Sequence, residues 1–311
     1  MFEFAFLTAG SKEADSSSED SAASDTSHEC VEVPIPENLR QGIDLEPDSL
    51  HVFIASVDTQ VEYLNCLTLP QEDLAGDILS AEMNHSDLIP GVYEGGLKVW
   101  ECTFDLGELI AEQGSYTKLF KHASVLDLGC GSGILGILAI KLGATSVVFQ
   151  DYNKDVLKNV TIKNYSFNCC NNRNDDAPQA EAHFFSGDWA SFVQKEQQMY
   201  DVILTSETIY NTSNYSKLID LLKSKLKPEG VVLLAAKAYY FGVGGGLRLF
   251  EQALDADGAL GHRVAWQCVN GVRREILEIR WNGVPPVAND NTGTMASQSD
   301  NSDGDPDTAE I

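Results

Sequence analysis

Between about residue 81 and residue 281, short apolar runs alternate with stretches of helical period. Ser124–Leu128 reads as a buried strand, followed by an apolar-periodic helix from Ile134 that stops at Gly143. Ser146–Gln150 is the second strand, and Asn153 is a good N-cap for a helix running toward Tyr165. Ala182–Ser186, Tyr200–Thr205 and Val231–Ala236 read as three more strands. A helix over Tyr215–Leu226 is expected to end at the turn signal Lys227-Pro-Glu-Gly, and the glycine loop Gly242–Gly246 opens another helix. Arg263–Val269 and Arg274–Arg280 flank the short turn Asn270-Gly271, a hairpin signal. Five β/α units and a closing hairpin predict an α/β fold: a Rossmann-like seven-stranded sheet, mostly parallel, with an antiparallel C-terminal hairpin.

Outside this block the pattern thins. His51-Val-Phe-Ile-Ala-Ser-Val predicts a strand or two in a small N-terminal annex, residues 48–80, ahead of the main domain at 81–284. Residues 1–50 hold 12 acids against 2 bases, and residues 285–311 hold 6 acids and no base, within a total charge of −26. Residues 1–47 and 285–311 are therefore expected to be disordered acidic tails, too poor in apolar groups to offset ordering entropy. An acidic chain argues against direct nucleic-acid binding and favours a basic protein partner. Seven cysteines without a C-x-x-C pair suit free thiols in a reducing compartment, and six scattered histidines offer no metal-ligand spacing. Neither a signal peptide nor a membrane span is expected.

The chemistry concentrates at the carboxyl ends of the strands. Asp127 lies in the first strand, just before Gly129, Gly131 and Gly133, which lead into a helix N-terminus. Such a turn suits a nucleotide-type cofactor, and Gly131-Ser-Gly-Ile-Leu-Gly136 also fits a nicotinamide fingerprint. A carboxylate at 127 would repel a pyrophosphate but hold the amino group of S-adenosylmethionine. Asp151, ending the second strand 24 residues later, suits ribose hydroxyls of either cofactor. Gly187-Asp188-Trp189, ending the third, suits an adenine amino group and ring face. Asp188 as a plain helix cap is the alternative. Together the three acids favour an S-adenosylmethionine-dependent methyltransferase.

Ser86–Leu106, Phe149-Gln-Asp-Tyr152, Leu204-Thr-Ser-Glu-Thr-Ile-Tyr-Asn211 and Lys237–Gly246 are long and uncommon. With the glycine loop they strongly resemble the histidine protein methyltransferases, of the seven-β-strand class, over roughly residues 81–281. The resemblance also touches Met1-Phe-Glu-Phe-Ala-Phe6. It implies methylation of one histidine of a large-subunit ribosomal protein at the tele nitrogen, by an expected monomer, in cytoplasm and nucleus, including the nucleolus. It implies that Trp100, Glu101, Cys102 and Thr103 line the cofactor pocket. Gly129 and Gly131 should approach the methionine part, and Gln150, Asp151 and Tyr152 the ribose. Gly187, Asp188 and Trp189 should surround the adenine, with Ser206 beside the sulfonium. Related sequences carry Glu where Asp188 stands, and the C-terminal acidic extension falls outside the pattern.

A neutral imidazole needs alignment and a fixed tautomer more than a strong base. Glu207, Tyr210 and Asn211, after the fourth strand, are the candidates. Glu207 would accept the ring N–H, and Tyr210 would pack on the ring. Each also has an ordinary structural reading: cap, core aromatic and turn residue. The loop Phe241–Gly246 would form a wall for a peptide. Rival readings are a protein lysine methyltransferase on the same fold, suited by acid-x-x-Tyr, and a cofactor-binding ribosome-assembly factor. A nucleic-acid base methylase lacks Asn-Pro-Pro-Tyr, and a nicotinamide dehydrogenase is the remaining rival.

Overall fold

The computed structural model describes residues 28–66, 88–89, 91–171, 180–268, 271–285 and 287. Most of both acidic ends, the second half of the expected annex and Asn270 of the expected turn lie outside the described residues. The strands are β1 (Val31–Glu32), β2 (Leu50–Ser56), β3 (Thr59–Leu64), β4 (Ser124–Leu128), β5 (Ser146–Asp151), β6 (Glu181–Ser186), β7 (Tyr200–Ser206), β8 (Leu226–Lys237), β9 (Leu260–Cys268) and β10 (Arg274–Trp281). The helices that matter here are α1 (Glu101–Glu112), α2 (Ile134–Lys141), a helical stretch α3 over 154–170 containing two π-turns, α4 (Trp189–Lys195), α5 (Tyr215–Lys225) and α6 (Leu247–Asp257).

One eight-stranded sheet runs in the order β1-β6-β5-β4-β7-β8-β10-β9. β6, β5, β4, β7 and β8 are parallel, and the β9–β10 hairpin adds the predicted antiparallel edge. Strand alternation divides the apolar residues between the two faces. Val125, Val147, Phe149, Leu204 and Leu233 meet α1 and α2 on one face. Leu126, Val148, Ile203, Val232 and Leu234 meet α5 and α6 on the other.

Three expectations change. The eighth strand, β1, comes from the stretch assigned to disorder: Val31 pairs with Ser186 and Glu32 with Phe185. Val33 and Leu39 are buried in the core, so a few apolar anchors order residues 28–47 despite the acids around them. The annex is not a separate unit. Phe53, Ala55 and Val61 of the β2–β3 hairpin pack with Cys102, Leu106 and Leu138. This cover explains why α2 is apolar on both sides. Finally, Lys227-Pro-Glu-Gly is no turn: β8 starts at Leu226 and carries these residues through an irregularity in its pairing with β7. Among the described residues no helix is long and apolar enough to cross a membrane.

Candidate active site

The carboxyl ends of β4, β5, β6 and β7 open into a cavity of about 330 Å³. It lies where the chain reverses direction across the sheet, between β4 and β7, the usual ligand position in such folds. Its floor is the turn after β4. Gly129, Gly131 and Gly133 all have left-handed backbone, with φ of 66°, 50° and 76°. The turn is held from β5: Cys130 N–H donates to the Gln150 carbonyl at 2.8 Å, and Gly131 N–H to Asp151 Oδ2 at 2.9 Å. A Cβ on Gly131 would stand 3.0 Å from the Gly96 carbonyl oxygen, so backbone closes on the loop from its other side.

Of the expected cofactor residues, Trp100, Thr103, Gly129 and Gly131 line the cavity. So do Asp151, Tyr152, Asp188, Trp189 and Ser206. Thr103 Oγ1 donates to Ser206 Oγ at 3.1 Å, joining α1 to the end of β7. Asp151 also accepts from Asn153 N–H at 3.0 Å, and burial pushes its carboxyl up to about 6.

Five expected residues do not line the cavity: four are buried behind its wall, and Glu101 is exposed at its rim. Asp127 is buried, and its Oδ2 accepts the Gly136 N–H at 2.8 Å. It tethers the first turn of α2 rather than facing a ligand, and burial pushes its carboxyl up to about 8. Gln150 is fully buried; it donates to the Gly187 carbonyl at 2.8 Å and accepts from the Trp189 indole at 3.1 Å. It sets the ring that lines the cavity. Gly187 lies against the backbone of Cys30, which β1 brings alongside. Glu101 pairs with Lys237 at 3.1 Å, and Cys102 is enclosed beneath Glu207. Asp188 borders the cavity, but its oxygens cap α4 at Ala190 N–H (2.8 Å) and pair with Lys217 Nζ (2.5 Å). The capping alternative describes its contacts, because Lys217 on α5 and the α4 N-terminus converge on it.

Glu207, Tyr210 and Asn211 also border the cavity. Glu207 has φ of 62°, an uncommon conformation for a side-chain-bearing residue, and is 7% exposed. The Tyr240 hydroxyl donates to its Oε2 at 2.5 Å, while Oε1 has no hydrogen-bond partner among the described residues. Burial raises its carboxyl; Lys237, Tyr240 and Cys102 oppose the rise. The Tyr210 hydroxyl donates to Glu94, and its ring meets Tyr240 edge-on, centroids 6.3 Å apart. Asn211 Oδ1 accepts from Ser213 N–H at 3.1 Å and from Ser213 Oγ at 2.7 Å, so its turn role is real.

Glu94, Lys217, Lys237 and Tyr240 were not among the expected residues. Glu94 sat in plain view in the Tyr93-Glu-Gly-Gly stretch, and a charge closing the apolar run of β8 could have flagged Lys237. Tyr240 is hidden in the run Tyr239-Tyr240-Phe241, whose outer members are exposed.

Sequence comparison places this geometry in a lineage. The chain is 41% identical over 262 residues to the histidine protein methyltransferase 1 homolog of Rattus norvegicus, covering 76% of this chain and 69% of that protein. It is 38% identical over 274 residues to the homolog of the same name from Bos taurus, covering 79% and 70%. The chain belongs to the histidine protein methyltransferases. A family model described as lysine methyltransferase also matches this histidine protein methyltransferase, over residues 91–240. The crystal structure of ribosomal protein L11 methylase from Lactobacillus delbrueckii subsp. bulgaricus superposes with a TM-score of 0.44 at 21% identity, covering 74% of this chain and 98% of that one.

As a histidine protein methyltransferase the protein uses S-adenosylmethionine. The residues present fit that cofactor. The glycine turn puts backbone at the cavity, where a Cβ on Gly129 or Gly131 would meet Thr208 or the Gly96 carbonyl, Asp151 borders it at the end of β5, and Trp189 offers a ring fixed by Gln150. Among the described residues no cluster of three His, Cys, Asp or Glu is arranged to hold a metal.

Proposed function

We propose that this chain methylates a histidine ring nitrogen of a protein, the tele nitrogen of a histidine in a large-subunit ribosomal protein. The observation that carries the acceptor class is the identity of about two-fifths to proteins named for histidine methylation, over more than two-thirds of their length. S-Adenosylmethionine, when bound, supplies a methyl group already made electrophilic by the sulfonium. The chain's own residues then have to hold the acceptor ring. A neutral imidazole, abundant at pH 7, has one N–H and one free lone pair. The carboxylate of Glu207, which borders the cavity, accepts that N–H, fixes the tautomer and leaves the other nitrogen free to attack. The carboxylate then offsets the positive charge the ring acquires. Tyr240 holds the carboxylate in place. Tyr210, tied to Glu94, forms an aromatic wall beside it. The strongly acidic chain suits a basic substrate such as a ribosomal protein.

A second reading, a lysine acceptor, is favoured by the description of the matching family model and by the Glu207-x-x-Tyr210 pair. One experiment separates them. Purified protein is incubated with methyl-labelled cofactor and isolated large-subunit ribosomal proteins, and the modified peptide is fragmented in the mass spectrometer. Label on a histidine, with the tele isomer identified by chromatography of the hydrolysate, supports the proposal. Label on lysine replaces it.

A further inference from the structure

Beneath Glu207 lies a group that the reading above leaves without a chemical task. Lys237 closes β8, and its side chain is only 6% exposed. Its Nζ is 3.6 Å from Glu207 Oε1 and 3.1 Å from Glu101 Oε2, and it lies 5.1 Å from the centroid of the Trp100 ring. The groups facing Glu207 come from three places. α1 brings Cys102 and, through Lys237, Glu101; β8 brings Lys237; the loop after β8 brings Tyr240. Of these, Lys237 alone is a cation. The Cys102 thiol and the Tyr240 phenol are pushed well above their ordinary values by burial, so neither competes for the negative charge near neutral pH.

A buried carboxyl left to itself takes up a proton, and a protonated carboxyl is a poor acceptor for an imidazole N–H. The removal of one partner from a buried pair leaves the other uncompensated. We propose that Lys237 is a positioning residue: its ammonium, 3.6 Å from Glu207 Oε1, keeps Glu207 ionised at the cavity wall, so that the acceptor histidine meets a carboxylate. This rests on the role given to Glu207 above. Glu101 shares the ammonium from the rim, where its side chain is 47% exposed. The same contact ties the start of α1, with the cavity-lining Trp100, to the end of β8, beside Glu207. The arrangement therefore couples the cofactor wall to the acid.

The test is the pH dependence of kcat/KM with one protein substrate, compared between wild type, Lys237→Met, Lys237→Arg and Glu207→Gln. This ratio reports free enzyme and free substrate, and the free substrate histidine titrates equally in all four, so differences report the enzyme. Affinity for S-adenosylhomocysteine, measured by calorimetry, checks that each variant keeps its fold. In Lys237→Met the acid limb should move up by about one pH unit or more, so that the rate falls by up to about tenfold on the acid side and recovers as pH rises. Lys237→Arg should keep the wild-type profile, and Glu207→Gln should lose the shift along with most of the rate. An acid limb in Lys237→Met at the wild-type position, whatever the overall rate, overturns the proposal. Should Lys237→Met fail to bind S-adenosylhomocysteine, Lys237→Arg decides: a shifted limb there, in a variant that still carries a cation, overturns it too. A wild-type product methylated on lysine would instead overturn the acceptor reading, and leaves the measured position of the limb to judge Lys237 separately.

Discussion

The two halves of the cavity are built on different terms. On the side of β4, β5 and β6, nearly every polar side chain is engaged by the protein itself. Asp127 holds α2, Asp151 holds the glycine turn, Gln150 holds Trp189, and Asp188 caps α4. What faces inward there is largely backbone and aromatic surface, a shape made in advance. On the side of β7 and β8, a carboxylate sits at positive φ with one oxygen lacking a hydrogen bond, above a buried lysine. Recognition of a cofactor rewards rigidity and satisfied hydrogen bonds. Chemistry on an incoming side chain needs a group that keeps hydrogen-bonding capacity for the substrate.

Mutations can break or sharpen this contrast. The largest effect is expected from Glu207→Gln, which should lower kcat by about a hundredfold while affinity for S-adenosylhomocysteine stays within about threefold. An unchanged turnover with the protein substrate would remove Glu207 from the acceptor side. Next comes Asn164→Ala. Asn164 on α3 accepts from Leu64 N–H at 2.9 Å and donates to the Ser132 carbonyl at 2.9 Å, so it ties the hairpin to the cofactor turn. Two buried backbone groups would lose their partner, at a cost of about 2 kcal/mol read by denaturant unfolding. A loss below a few tenths would show that the hairpin is not coupled to the turn.

Asp151→Ala should weaken S-adenosylmethionine about tenfold, because it removes a ribose acceptor and the tether of Gly131. Calorimetry returning wild-type affinity would contradict that assignment. A pH-dependent effect belongs to Asp127. Its folded value of about 8 lies above the ordinary carboxyl value of 3.8, so the folded state binds the proton more tightly than the unfolded chain. Stability is therefore fully retained below about pH 4 and declines as pH rises toward 8. Asp127→Asn cannot ionise, so its melting temperature should gain on wild type progressively as pH rises from about 5 to about 9. A gap that stays flat across that range would mean the carboxyl ionises at no cost.

Much of this was legible before any coordinates. β4 was read with both its ends correct, and most of the other central strands to within a residue, because a strand buried on both faces is an uninterrupted apolar run bounded by polar turns. β8 was harder: Pro228 and Gly230 look like a turn, yet an irregularity in the pairing of β8 with β7 absorbs them. The acids at 127, 151 and 188 were found where strands end, but the sequence does not say which way a carboxylate turns. Asp127 and Asp151 are both buried acids on neighbouring strands. Only the second borders the cavity.

What the chain decides by itself is the α/β order, the glycine turn and the presence of Glu207 after β7, since these follow from local period, backbone freedom and residue type. What only the tertiary structure decided is the use of each polar group. Gly136, Lys217, Tyr240 and Lys237 lie between 9 and 33 residues from their partners along the chain. A carboxylate takes whichever donor folding brings within 3 Å, and that pairing is a property of the packed sheet, its helices and the loop after β8, not of any one segment.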